Sequence, residues 1–143
     1  RVRLAHAENN DEGTLKFFAD SQIASDTQVL TDGLASYNSE SLGQRPHQAV
    51  IQTKQERRES DALQGCHWTV SLLKRWLLGT HAGAVKPKHL QAYLDEFAFR
   101  FNRRKTNGVG RIAARTIEQL VARPPLTMKM LILETVPCRA FRS

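Results

Sequence analysis

Residues 27–39 read Thr-Gln-Val-Leu-Thr-Asp-Gly-Leu-Ala-Ser-Tyr-Asn-Ser, and this order of residue types decides the fold class. The β-branched side chains between Thr27 and Thr31 suit a pleated, half-buried strand. Asp32-Gly33 ends that strand with a turn signal. Leu34 to Ser39 then predicts a short helical turn. On the N-terminal side, residues 1–7 begin Arg-Val-Arg-Leu-Ala and predict another strand, and residues 8–13 predict a turn. Thr14 to Ala24 predicts a short helix with Leu15, Phe18 and Ile23 on its apolar side. On the C-terminal side, His47 to Thr53 contains Ala-Val-Ile and predicts a third strand. Strands alternating with helices predict an α/β class with a short mixed sheet.

From Lys54 to Leu63 the chain is strongly polar and predicts a linking loop. The period then becomes helical. Cys66 to Leu78 predicts one helix with Val70, Leu73 and Leu77 as its buried stripe, and Gly79 is placed as its C′ residue. Residues 79–86 predict a loop. Pro87 suits a first helical turn, and the helix it opens runs to about Arg103, with Leu90, Tyr93, Leu94, Phe97 and Phe101 as its stripe. Residues 105–111 predict a glycine-containing loop. Arg115 to Ala122 predicts a final helix, stopped by Pro124-Pro125. The tail 126–143 carries an apolar patch, Met128 to Val136, without a clean period. The expected organisation is a sheet part (1–53), a polar loop (54–63) and a helical part (64–104). A C-terminal helix and tail (105–143) follow.

The chain has 143 residues, enough for one domain or part of one. It has no initiator Met and begins within a predicted strand, so it is expected to be a fragment of a longer protein. No basic segment leads into an apolar one, as a secretory signal would require. No apolar run approaches the roughly 18 residues that span a membrane. Cys66 and Cys138 are the two cysteines. Such a pair in a basic chain argues against a disulfide scaffold and for a reducing compartment. Neither has a C-x-x-C partner, which argues against structural zinc.

Charge is unevenly spread. The net charge is +7. Residues 1–62 hold 7 Lys/Arg against 10 Asp/Glu, whereas residues 63–143 hold 14 against 4. A basic half of this strength is the electrostatic footprint of a phosphate-binding surface. Lys74, Arg75, His81, Lys86, Lys88 and His89 crowd into 16 residues. Arg100, Arg103 and Arg104 follow, with Asn102 among them, and Trp68 and Trp76 stand in or beside the first group. Cations interleaved with aromatics suit phosphate contact and base stacking, although both tryptophans also suit a core. There is no P-loop, G-x-G-x-x-G or G-x-S-x-G sequence, so ATP hydrolysis, dinucleotide binding and serine hydrolysis have no support.

Two places could carry chemistry. Asp32 closes a strand beside a turn, where a carboxylate can hold a metal at a sheet edge. A carboxylate there can equally cap the helical turn that follows. His67 and Lys74 are seven residues apart, so they share one helix face with Ser71 between them. They could serve a metal and a phosphate together, or be a surface histidine and a surface lysine.

Val29-Leu-Thr-Asp-Gly-Leu-Ala-Ser-Tyr37 resembles the strand-to-helix segment that carries the second catalytic Asp in a group of bacterial insertion-sequence DDE transposases, the ISXO2-like group. Leu72-Leu-Lys-Arg-Trp-Leu-Leu-Gly-Thr-His81, Pro87 to Phe97 and Phe99 to Arg104 resemble its later block. The resemblance implies a partial ribonuclease H-like fold and two-metal phosphoryl transfer on DNA, with Mg²⁺ or Mn²⁺ as cofactor. It implies Asp32 as the second acidic ligand, His67 at the third ligand position and Lys74 as the lysine seven residues later. Many relatives carry Glu where this chain has His67, and a neutral imidazole suits Mg²⁺ less well. The first acidic ligand is expected on a strand before residue 1, so the fragment alone is expected to be inactive. The implied partners are the terminal inverted repeats of the element and target DNA. The implied active form is a homo-oligomer in the bacterial cytoplasm, at the nucleoid. The competing expectations are a non-catalytic DNA-binding remnant and another ribonuclease H-like nuclease.

Overall fold

The computed structural model describes residues 1–122, 124–125 and 127–132. In chain order its elements are α1 (Glu12–Gln22), β1 (Val29–Thr31), α2 (Ser39–Leu42), β2 (His47–Ala49), α3 (Lys54–Glu59), α4 (Gln64–His81), α5 (Pro87–Asn102), α6 (Val109–Val121) and α7 (Met128–Ile132). The chain divides into two compact units. One runs from Ala5 to Val85, and the other joins Arg1–Leu4 to the segment that starts at Lys86.

In the first unit β1 and β2 pair in parallel, Val29 opposite His47 and Thr31 opposite Ala49. Among the described residues the sheet is this parallel pair rather than the mixed sheet expected. α1 starts earlier than its apolar pattern suggests, because Asp11 accepts a hydrogen bond from the Thr14 amide and caps it. Ala19, not the larger apolar side chains, is its buried residue. The chain between β1 and β2 is held by Arg45, whose side chain is 8% exposed. Its guanidinium donates to the carbonyls of Ile23 (2.9 Å) and Leu42 (2.9 Å) and pairs with Asp20 at 3.0 Å. One planar fork therefore satisfies the orphan carbonyls at the end of α1 and ties them to α2.

Residues 54–63 are not a loop throughout. Thr53 and Glu56 form a reciprocal capping box, and α3 follows it without burying any side chain. α4 runs through Gly79 to His81. It ends at Ala82, which takes the left-handed conformation (φ 49°) expected of a glycine. Its buried residue is Thr69, with Leu72, Leu73, Trp76 and Leu77 half-buried. Val70 is 45% exposed, so the inward face is turned by one residue from the predicted stripe.

In the second unit α5 begins at Pro87 and buries Leu94 and Phe97, as its stripe requires. Residues 1–7 form no strand. Asn102 instead clamps Val2: its Oδ1 accepts from the Val2 amide (2.6 Å) and its Nδ2 donates to the Val2 carbonyl (2.9 Å). Gln91 Nε2 donates to the Leu4 carbonyl at 3.3 Å. Two side-chain amides thus satisfy the backbone groups that a neighbouring strand would. α6 begins at Val109, six residues before the predicted Arg115. Cys138 and the end of the apolar patch, residues 133–136, lie outside the described residues.

Candidate functional site

In the Ala5–Val85 unit, Asp32 follows the last residue of β1 and is exposed. It does not cap α2. That cap is Asn38, whose Oδ1 accepts from the Glu40 and Ser41 amides. Two features fix the backbone at Asp32. Thr31, buried at the strand end, places its hydroxyl 2.9 Å from His47 Nε2, and the Gly33 amide donates to the same oxygen at 3.3 Å. Gly33 has φ 80°, and a Cβ there would lie 2.9 Å from Ile51 Cγ1. Only glycine meets both demands without strain.

Tyr37 reports what surrounds Asp32. Its hydroxyl titrates above the ordinary tyrosine range, first because partial burial disfavours the phenolate. The negative charges of Asp32 and of the Cys66 sulfur raise it further. The strand-end carboxylate and the first turn of α4 therefore act on one phenol.

His67, next to Cys66, is held by a residue that the sequence does not single out. Its Nδ1 lies 2.6 Å from Asp61 Oδ2. Asp61 Oδ1 accepts from the Leu63 amide at 3.0 Å, which fixes the carboxylate at the start of α4. The bond to His67 is the main reason that Asp61 ionises below the ordinary carboxylate range. An ionised carboxylate can only accept, so the Nδ1 proton points at Asp61 and Nε2 is the nitrogen that carries any lone pair. Sequence reasoning misses Asp61 because it lies before the helix and reaches its partner across a turn.

Lys74 and Arg75 are exposed on α4. Helix geometry sets Lys74 two turns along from His67 on one face. His81 stands edge-on to Trp76, with ring centroids 5.1 Å apart, so it packs within the last turn rather than projecting freely. Trp68 is 49% exposed. Among the described residues no group of three or more His, Cys, Asp or Glu side chains is placed to hold a metal ion. The donors here do not by themselves fit a two-metal centre.

The remaining predicted DNA contacts lie in the other unit. Lys86 and Lys88 are exposed at the start of α5, and His89 is half-buried. Arg100 pairs with Glu96 at 2.7 Å across one helical turn. The Arg103 and Arg104 guanidinium groups stack on Phe99 and Phe101, at 3.9 and 4.0 Å from the ring centroids. Asn102 faces the N-terminal segment of its own unit. Its amide is engaged with the Val2 backbone, so it cannot read a base edge with the same two atoms.

No helix of the described residues is long and apolar enough to cross a membrane. The family model for the ISXO2-like transposase domain matches residues 1–102. No curated protein and no solved structure matches the chain.

Proposed function

The chain belongs to the ISXO2-like transposase domain family, and from that premise we propose that it is part of an insertion-sequence transposase that cuts and joins DNA ends. The observation carrying this reading is the family match over residues 1–102, and the exposed carboxylate of Asp32 directly after β1 is consistent with it. DDE transposases generally use divalent metal ions. Asp32 supplies negative charge suited to Mg²⁺ or Mn²⁺, and His67 offers Nε2 as a neutral donor. A two-metal centre also needs acidic donors beyond these two. Lys74 places a point charge on a DNA phosphate, and the cations of α5 hold the duplex backbone. Pairing of element ends by a homo-oligomer belongs to the same reading, as does a ribonuclease H-like core.

A neutral histidine at the third ligand position favours a second reading, a DNA-binding remnant without chemistry. Both readings require DNA binding, which is the first test. Replacing Lys88, Arg100, Arg103 and Arg104 together with Ala should flatten the slope of log affinity against log salt. The expected change is about 0.9 for each phosphate that is no longer neutralised. Asp32→Ala should bind as the parent does. An unchanged slope in the quadruple variant would remove these residues from the interface.

A further inference from the structure

We propose that the cleft of about 370 Å³ bounded by Arg1, Asn102, Arg103 and Arg104 is a binding site for a phosphodiester phosphate of DNA, with Asn102 as its positioning residue. The proposal rests on the DNA reading above for the source of the phosphate. The cleft itself stands on geometry. Asn102 makes both of its hydrogen bonds to the Val2 backbone, so it fixes the segment whose first side chain, Arg1, lines the cleft. Arg103 and Arg104 enter from the end of α5 with their planes laid on aromatic rings. Each is further tied by a hydrogen bond to a helix carbonyl, Phe99 for Arg103 and Phe101 for Arg104.

Three arginines from two chain segments thus line one concave surface, two of them held by stacking and the third by a backbone clamp. Like charges gathered there repel one another. Arg103 releases its proton more readily than an ordinary arginine, chiefly because burial disfavours its charge. The charges of Arg115 and Arg1 add to this. An anion in the cleft would relieve both effects. Several arginines lining one cleft from different chain segments suit a tetrahedral group with several acceptor oxygens better than a planar carboxylate, which one fork satisfies. Asn102, in a run that reads Phe-Asn-Arg-Arg, therefore acts by placing Arg1 rather than by touching a base.

The test uses the 143-residue chain, a short DNA duplex and inorganic phosphate as probes. Arginine Nε–Hε signals are followed by NMR, and duplex affinity is measured over a salt series. Inorganic phosphate should shift the Arg103 signal in the parent and not in Asn102→Ala. Arg1→Gln replaces an exposed side chain and should leave the circular dichroism unchanged. It should nevertheless lower the salt slope by about one. Asn102→Ala changes no charge, yet it should lower the slope similarly and weaken duplex binding at least about threefold. If the parent binds the duplex and both variants keep its slope, the proposal is overturned while the DNA reading stands. If the parent binds no duplex but phosphate still shifts Arg103 in an Asn102-dependent way, the DNA reading fails and the cleft takes free phosphate instead.

Discussion

Tyr37 ionises late for three reasons, and two of them can be removed singly. Asp32→Asn and Cys66→Ser should each lower its titration midpoint toward the ordinary value, and together they should leave only the part due to burial. Labelling the phenol carbon separates Tyr37 from Tyr93. A midpoint unmoved by Asp32→Asn would separate the strand-end carboxylate from this site. The sign of the linked stability follows. The folded state holds the phenolic proton more tightly than the unfolded chain, so this contribution is complete below pH 10 and is lost as pH rises above it. Asp61 behaves in the opposite sense. Its folded pKa is depressed, so its contribution is complete above about pH 4 and is lost as pH falls below that. Asp61→Asn should abolish this acid-side loss in denaturation curves. It should also move the His67 proton to Nε2, because the new amide can donate to Nδ1. Asp32 is legible as a strand-end carboxylate from its own segment. Asp61, Arg45 and the clamp by Asn102 are not, because each acts on a residue that only the folded chain brings near.

The helices differ in what holds them, and so in how they fail. α5 rests on Leu94 and Phe97, 8% and 7% exposed. Leu94→Ala should cost about 2–5 kcal/mol in urea denaturation, from reduced burial and the cavity left behind. α3 buries nothing and depends on its capping box. Thr53→Ala should cost about 1 kcal/mol and speed amide exchange in α3 roughly fivefold, with the global midpoint unmoved. A shifted midpoint would show that α3 supports the core. α5 is readable because five apolar residues repeat at helical spacing and proline marks the start. α3 escapes a reading by composition because its residues are polar, although Thr53 and Glu56 stand at capping-box spacing. Residues 1–7 read wrongly as a strand because an extended segment has the same sequence signature whether a strand or side-chain amides satisfy its backbone.

Across the whole chain, acidic and basic residues separate in sequence, and the expected DNA contacts divide between the two units. Lys74, Arg75 and His81 belong to the Ala5–Val85 unit, and the cations from Lys86 to Arg104 belong to the other. The charge asymmetry is legible by counting residues. The division into two units is not, because Arg1–Leu4 joins the segment after Lys86 through contacts that only the folded chain makes, such as the Asn102 clamp on Val2. The central claim is that Asp32 serves strand cleavage while the basic residues serve DNA binding. Its most direct test is metal-dependent cutting of element-end DNA, with binding measured on the same samples. Asp32→Asn should abolish cutting and leave affinity unchanged, while His67→Glu should keep or improve cutting in Mg²⁺. Cutting by Asp32→Asn at the parent rate would contradict the account.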